Sequence, residues 1–292
     1  MKAHIYFSCV ALAALAAVAG CHRRQLPVMD HPRSFPGVAS QDITFYSPAL
    51  SRNMTYRVYI AQPVATGTRL PIVYLLHGCG TNFKDWSNDS NVGAYAAKGL
   101  ILVMVDGACS YYMNAALNAR DRYEDYLVND VVGDAESRFP VLRGRTHRAI
   151  VGVSMGGFAA VELALTRPDL FAFAGAISPA IDVPGRRDSL RRWSQSMRFR
   201  IIFGPAGSEM RIHKDPFTLV QSAEPSETPY IYITAGNQES LLSPIVRFVT
   251  LLKQRNYAYE FHTKPGGHDW YEWDNQIPEC FDSVLLHIHS AN

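Results

Sequence analysis

Two kinds of hydrophobic pattern alternate along this chain. Short apolar runs at residues 72–76, 100–105, 149–153, 172–177 and 230–234 have few polar interruptions, as strands covered by helices on both faces require. The runs at 43–46 and 55–60 are more polar and alternate, which suits an antiparallel hairpin at a sheet edge. An eighth strand is predicted at 257–263. Between the runs the spacing becomes helical. Residues 123–139 place Tyr123, Tyr126, Leu127, Val131, Ala135 and Phe139 on one face, with acids opposite. Residues 243–255 and 277–289 carry similar stripes. Strands alternating with helices predict an α/β fold: a mostly parallel, doubly wound sheet of about eight strands, helices on both faces and right-handed crossovers. Residues 182–228 keep no sustained period, and they read as a lid-like excursion after the sixth strand.

Composition bounds the rest. With 292 residues, 48% of them hydrophobic, the chain can bury a large core, and one domain over 42–292 fits. A net charge of +2 with no sustained Lys/Arg run argues against nucleic-acid partners. The densest basic stretch, Arg186 to Arg192, is broken by Asp188 and reads as a solvated helix face. At the N-terminus, Lys2 and His4 precede an apolar stretch from Ile5 to Ala19. It is too short for a comfortable membrane span and has the character of a signal peptide, residues 1–20. Val18-Ala19-Gly20-Cys21 resembles the lipobox of bacterial lipoproteins, which implies lipidation of Cys21 and anchoring of an exported protein to the cell envelope, at the outer membrane or in the periplasm. An ordinary signal peptide cut nearby is the alternative. Residues 21–41, with Pro27, Pro32, Pro36 and Gly37, read as a tether.

The remaining cysteines, Cys79, Cys109 and Cys280, are odd in number, so at most one disulfide forms. Cys79 and Cys109 both follow predicted strands at one end of the sheet and are the favoured pair; buried free thiols are the alternative. No Cys/His spacing suits zinc. Neither a metal nor a cofactor is expected.

The chemistry centres on Gly152-Val153-Ser154-Met155-Gly156-Gly157, set between the run at 149–153 and a breaker-free helical segment from Phe158 to Leu165. A strand, a sharp glycine-flanked turn carrying serine, then a helix is the nucleophile elbow of an α/β-hydrolase. A serine hydroxyl needs a histidine to take its proton and a carboxylate to hold the histidine, in the chain order Ser, acid, His. His268 lies in a glycine-rich loop, Pro265-Gly266-Gly267-His268-Asp269-Trp270, just past the last strand, and is the candidate base. Glu239 is the only carboxylate in the loop after the seventh strand and the first choice of acid; Asp182 is second and Asp215 third. The oxyanion hole calls for two backbone amides: Met155, after the nucleophile, and Cys79, in the loop after the third strand. His77 is expected to position that loop.

These residues are identified with the esterase D, or putative esterase, family, which includes S-formylglutathione hydrolases, feruloyl and acetylxylan esterases and mycolyltransferases. The matching pieces are Leu75-Leu76-His77-Gly78, Asp106-Gly107 ahead of Ser110-Tyr111-Tyr112, the elbow with Gly157, Gly236 ahead of Glu239, and Gly266-Gly267-His268-Asp269-Trp270 with Trp273. The family usually has aspartate where Glu239 stands. The resemblance, over about residues 42–290, implies Tyr111, Tyr112 and Trp270 as lining of the acyl or alcohol pocket. It also implies a serine carboxylesterase acting on small-molecule or carbohydrate esters. An acyltransferase using the same triad on a sugar or envelope acceptor is the alternative, and a non-catalytic surface protein retaining the fold is a third reading.

Overall fold

A computed structural model describes residues 29–288. Eight strands form one sheet: β1 Val38–Ser47, β2 Arg52–Ala61, β3 Ile72–Leu76, β4 Ile101–Val105, β5 Arg148–Val153, β6 Phe173–Ile177, β7 Tyr230–Gly236 and β8 Tyr259–Lys264, in the order β1-β2-β4-β3-β5-β6-β7-β8. The β1–β2 and β2–β4 pairings are antiparallel and the other five parallel. The continuous apolar runs are the central strands, as two-sided burial demands. Alternate residues feed different cores. Ile72, Tyr74, Leu76 and Ile150 face one core, while Val73, Leu75, Val151 and Val153 face the other. The first core is closed by α3 (Met155–Thr166) and α6 (Leu242–Gln254), the second by α1 (Asp85–Asp89) and α7 (Trp270–His287). Between these lie α2 (Val132–Arg138), α4 (Trp193–Phe203) and α5 (Pro216–Ser222).

Three expectations shift. The domain begins before residue 42: Val38 to Gln41 pair with Ala61 to Val58, and Arg33 reaches Asp274 Oδ2 at 2.9 Å. Backbone pairing explains the miss, because Ser40, Gln41 and Asp42 are exposed and leave no apolar signal. The helix at 123–139 is interrupted by a π-helical turn, Tyr126–Val131, which widens the buried face to include Val128 and Val132. The last helix starts seven residues earlier than predicted. Asp269 caps it by accepting from the Glu272 amide at 3.1 Å, and it runs through Pro278, a residue that reads as a boundary in sequence. The excursion is helical. Buried Arg211 ties the end of α4 to the segment after β6, donating to the carbonyls of Pro184, Arg186 and Gly204 and to Asp188.

Candidate active site

β5 ends at Val153 and α3 begins at Met155, so Ser154 alone makes the reversal. Its backbone sits at φ 55°, ψ −110°, a conformation that costs a non-glycine residue of order 1–3 kcal/mol and persists only when neighbours hold it. They do so here by hydrogen bonds. The Ser154 amide donates to Ile177 O at 2.8 Å, and its carbonyl accepts from Phe158 and Ala180, each at 3.0 Å. The flanking glycines are steric requirements. A Cβ on Gly152 would overlap the Gly156 backbone, and one on Gly156 would overlap the Leu76 carbonyl. α3 buries every residue from Met155 to Leu165, which fixes the elbow against the sheet.

His268 Nε2 stands 2.9 Å from Ser154 Oγ, and Nδ1 stands 2.6 Å from Glu239 Oε2. The other carboxylate oxygen, Oε1, accepts from the Gly236 amide at 3.0 Å. The Glu239 side chain has no exposed surface while that of His268 is 34% exposed, so the acid is shielded and the base faces outward. Backbone packing sets this spacing. Asn237 N–H donates to Lys264 O (2.8 Å) and Gln238 N–H to Gly266 O (2.9 Å), and a Cβ on Gly236 would overlap the Gly266 carbonyl. The Trp273 ring supports His268 edge-on at 5.0 Å between centroids. The second- and third-choice acids are occupied elsewhere. Asp182 pairs with Arg186 at 2.7 Å, and Asp215 caps α5 through the Phe217 amide.

The loop after β3 is held by His77, as expected. His77 is fully buried. Its Nε2 accepts from the Gly107 amide at 2.9 Å, which leaves the proton on Nδ1 for the Gly78 carbonyl at 2.7 Å. The Thr81 hydroxyl donates to the same carbonyl at 3.1 Å, a contribution the sequence reading missed because nothing local marks Thr81. Gly78 O and Cys79 N–H belong to one planar peptide, so anchoring the carbonyl orients the Cys79 amide. Gly78 is packed close to the nucleophile: a Cβ there would stand 3.6 Å from Ser154 Cβ. Among the described residues the Cys79 and Met155 amides donate to no backbone carbonyl. Cys79 and Cys109 form a disulfide, and Cys280 is a free, buried thiol whose pKa is pushed up by burial.

The tyrosines implied as pocket lining are core residues instead. Tyr112 is fully buried; its hydroxyl accepts from the His77 amide at 3.0 Å and donates to Val105 O at 3.2 Å. Tyr111 is buried among Phe158, Phe199 and Phe203. Both tyrosines are consumed by supporting the loop after β4. Trp270 is partly exposed; its Nε1 donates to Asp85 at 3.2 Å, and its ring packs on Trp86 and Trp273. Cys21 lies outside the described residues.

A serine elbow after the fifth strand, with an acid and a histidine in the loops beyond the seventh and eighth, defines an α/β-hydrolase of the serine hydrolase class. The family model described as putative esterase matches residues 47–282, and the chain belongs to that family. An acetyl esterase of Caldicellulosiruptor saccharolyticus is 25% identical over 262 residues, covering 84% of this chain and 97% of that protein. An endo-1,4-beta-xylanase/feruloyl esterase of Xylanibacter ruminicola is 26% identical over 159 residues, 49% of this chain and 22% of that protein. Among solved structures, the fluorophosphonate-binding serine hydrolase F of Staphylococcus aureus matches with a TM-score of 0.74 at 24% identity, covering 85% of this chain and 98% of the other.

Proposed function

We propose that this chain is an exported serine carboxylesterase that passes through an acyl-enzyme on Ser154. The observation that carries the reading is the linear relay from Ser154 Oγ through His268 to the buried Glu239, at 2.9 and 2.6 Å. His268 Nε2 takes the Ser154 proton as Oγ attacks the ester carbonyl, and Glu239 holds Nδ1–H and stabilises the imidazolium. The Met155 and Cys79 amides bind the tetrahedral oxyanion; one such donor contributes about 3–4 kcal/mol to the transition state. His268 then protonates the leaving alcohol, and a water deprotonated by the same nitrogen releases the acid. The acetyl esterase and feruloyl esterase relatives support acyl or feruloyl esters of carbohydrates as substrates, and Cys21 carries a lipid anchor.

The test is hydrolysis of acetyl, butyryl and feruloyl esters by the wild-type protein, Ser154→Ala and His268→Ala. Both variants should fold and lose at least about a thousandfold in kcat. A Ser154→Ala protein that keeps wild-type turnover would contradict the assignment.

A further inference from the structure

A groove of about 440 Å³ runs between α4 and the loops that follow β4. Its sides are apolar and aromatic: Tyr123 on one flank, Trp193, Met197 and Ile201 on the other. Those three residues of α4 recur at helical spacing, so the helix turns one stripe toward the groove. Trp193 is 64% exposed, far more than an indole with only a packing role needs. The groove wall is tied to the loop after β3 and to the elbow. Cys109 lines it and is bonded to Cys79, and Tyr111, two residues on, donates its amide to Met155 Sδ at 3.2 Å.

One charge on the groove wall stands apart from its neighbours. Residues 186–200 hold six arginines and a single aspartate. Arg186 is paired with Asp182, and Arg200 shares Asp188 with Arg211. Arg198 is different. Its Nη1 rests on the disulfide, 3.2 Å from Cys79 Sγ and 3.0 Å from Cys109 Sγ, and sulfur is only a weak acceptor. No carboxylate lies within ion-pair distance of it among the described residues. Asp121, the one acid on the groove wall, is engaged by Asn118 Nδ2 at 2.7 Å. A guanidinium with several unused donors, set in an apolar groove beside an aromatic face, matches a planar carboxylate.

We propose that this groove is a substrate subsite for a carboxylate carried by the ester, with Arg198 as its counter-ion. The proposal rests on the esterase reading above. The charge can belong to the acyl half, as in a dicarboxylic half-ester, or to the alcohol half, as in an ester of an acidic sugar. Both present the same group to Arg198.

Two pairs of probes separate the sources and isolate the charge. On the acyl side, 4-nitrophenyl hemiglutarate is compared with 4-nitrophenyl pentanoate; on the alcohol side, 4-acetoxybenzoate is compared with 4-acetoxybenzamide. Wild-type protein should prefer the anionic member of one pair in kcat/KM. Arg198→Gln should lower that preference about tenfold, leave the neutral member within about twofold, and show its loss in KM more than in kcat. Arg198→Lys should restore part of it. The wild-type preference should also shrink as salt rises from about 0.02 to about 0.5 M. Equal losses on neutral and anionic members would show that Arg198 only braces the disulfide loop, and would overturn the subsite. So would the absence of an anionic preference in both pairs while the neutral esters are hydrolysed. If the wild-type protein hydrolyses neither member of either pair, the esterase reading fails and the subsite with it.

Discussion

Glu239 is one methylene longer than the aspartate its family usually carries, and the side chain uses that length to curl back on its own loop. One oxygen closes onto the Gly236 amide three residues earlier while the other reaches His268 Nδ1. Both oxygens are therefore used, and the imidazole is held in the tautomer that leaves Nε2 free to accept. Glu239→Gln keeps the shape but offers an amide where Nδ1–H needs an acceptor, so kcat should fall roughly a thousandfold to ten-thousandfold. Asp182→Asn should stay within about threefold, since Asp182 is spent on Arg186. Reversed effects, measured on one neutral ester, would move the acid to Asp182. At this scale the triad was legible because each member sits in a loop with its own mark: glycines around Ser154 and His268, a lone carboxylate after β7. Tyr111 and Tyr112 were not. Whether an aromatic ring faces substrate or core depends on Phe158, Phe199, Phe203 and His77, which come from distant parts of the chain.

The strands were readable as elements because two-sided burial writes itself as an apolar run, whereas the first helical turn of α7 and the pairing of Val38 to Gln41 depend on capping and backbone bonds that carry little pattern. The excursion is anchored to α3 by an ion cluster equally invisible to periodicity. Glu162, fully buried on α3, meets Lys214 Nζ at 3.2 Å, and Lys214 also meets Glu124 at 2.8 Å. Burial raises the Glu162 carboxyl to about 7, with Lys214 opposing the rise. The folded state therefore keeps a proton that the unfolded chain releases near the ordinary glutamate value, so this group erodes stability as pH rises through roughly 4.5 to 7. In Glu162→Gln that component disappears. The difference in Tm between variant and wild type should shift in the variant's favour from about pH 5 to about pH 8, as read by thermal denaturation. A difference that stays constant or moves the other way would contradict the burial argument.

For the molecule as a whole, no helix among the described residues is long and apolar enough to cross a membrane. The proposed lipid attachment at Cys21 is tested at this scale. Expressed in a bacterial host, the full chain should partition with membranes and incorporate labelled fatty acid, and Cys21→Ser should do neither; a Cys21→Ser protein still carrying label would place the acyl chain elsewhere. The sheet order brings the loops after β3, β5, β7 and β8 to one edge, where the elbow, the anchored Cys79 amide and the His268–Glu239 pair converge. The central claim is that Ser154 is the activated nucleophile of this edge. Intact and peptide mass spectrometry after exposure to a fluorophosphonate tests it most directly. We predict one adduct, mapped to Ser154 and absent from Ser154→Ala and from heat-denatured protein. An adduct on another serine, or none on native protein, would contradict the account.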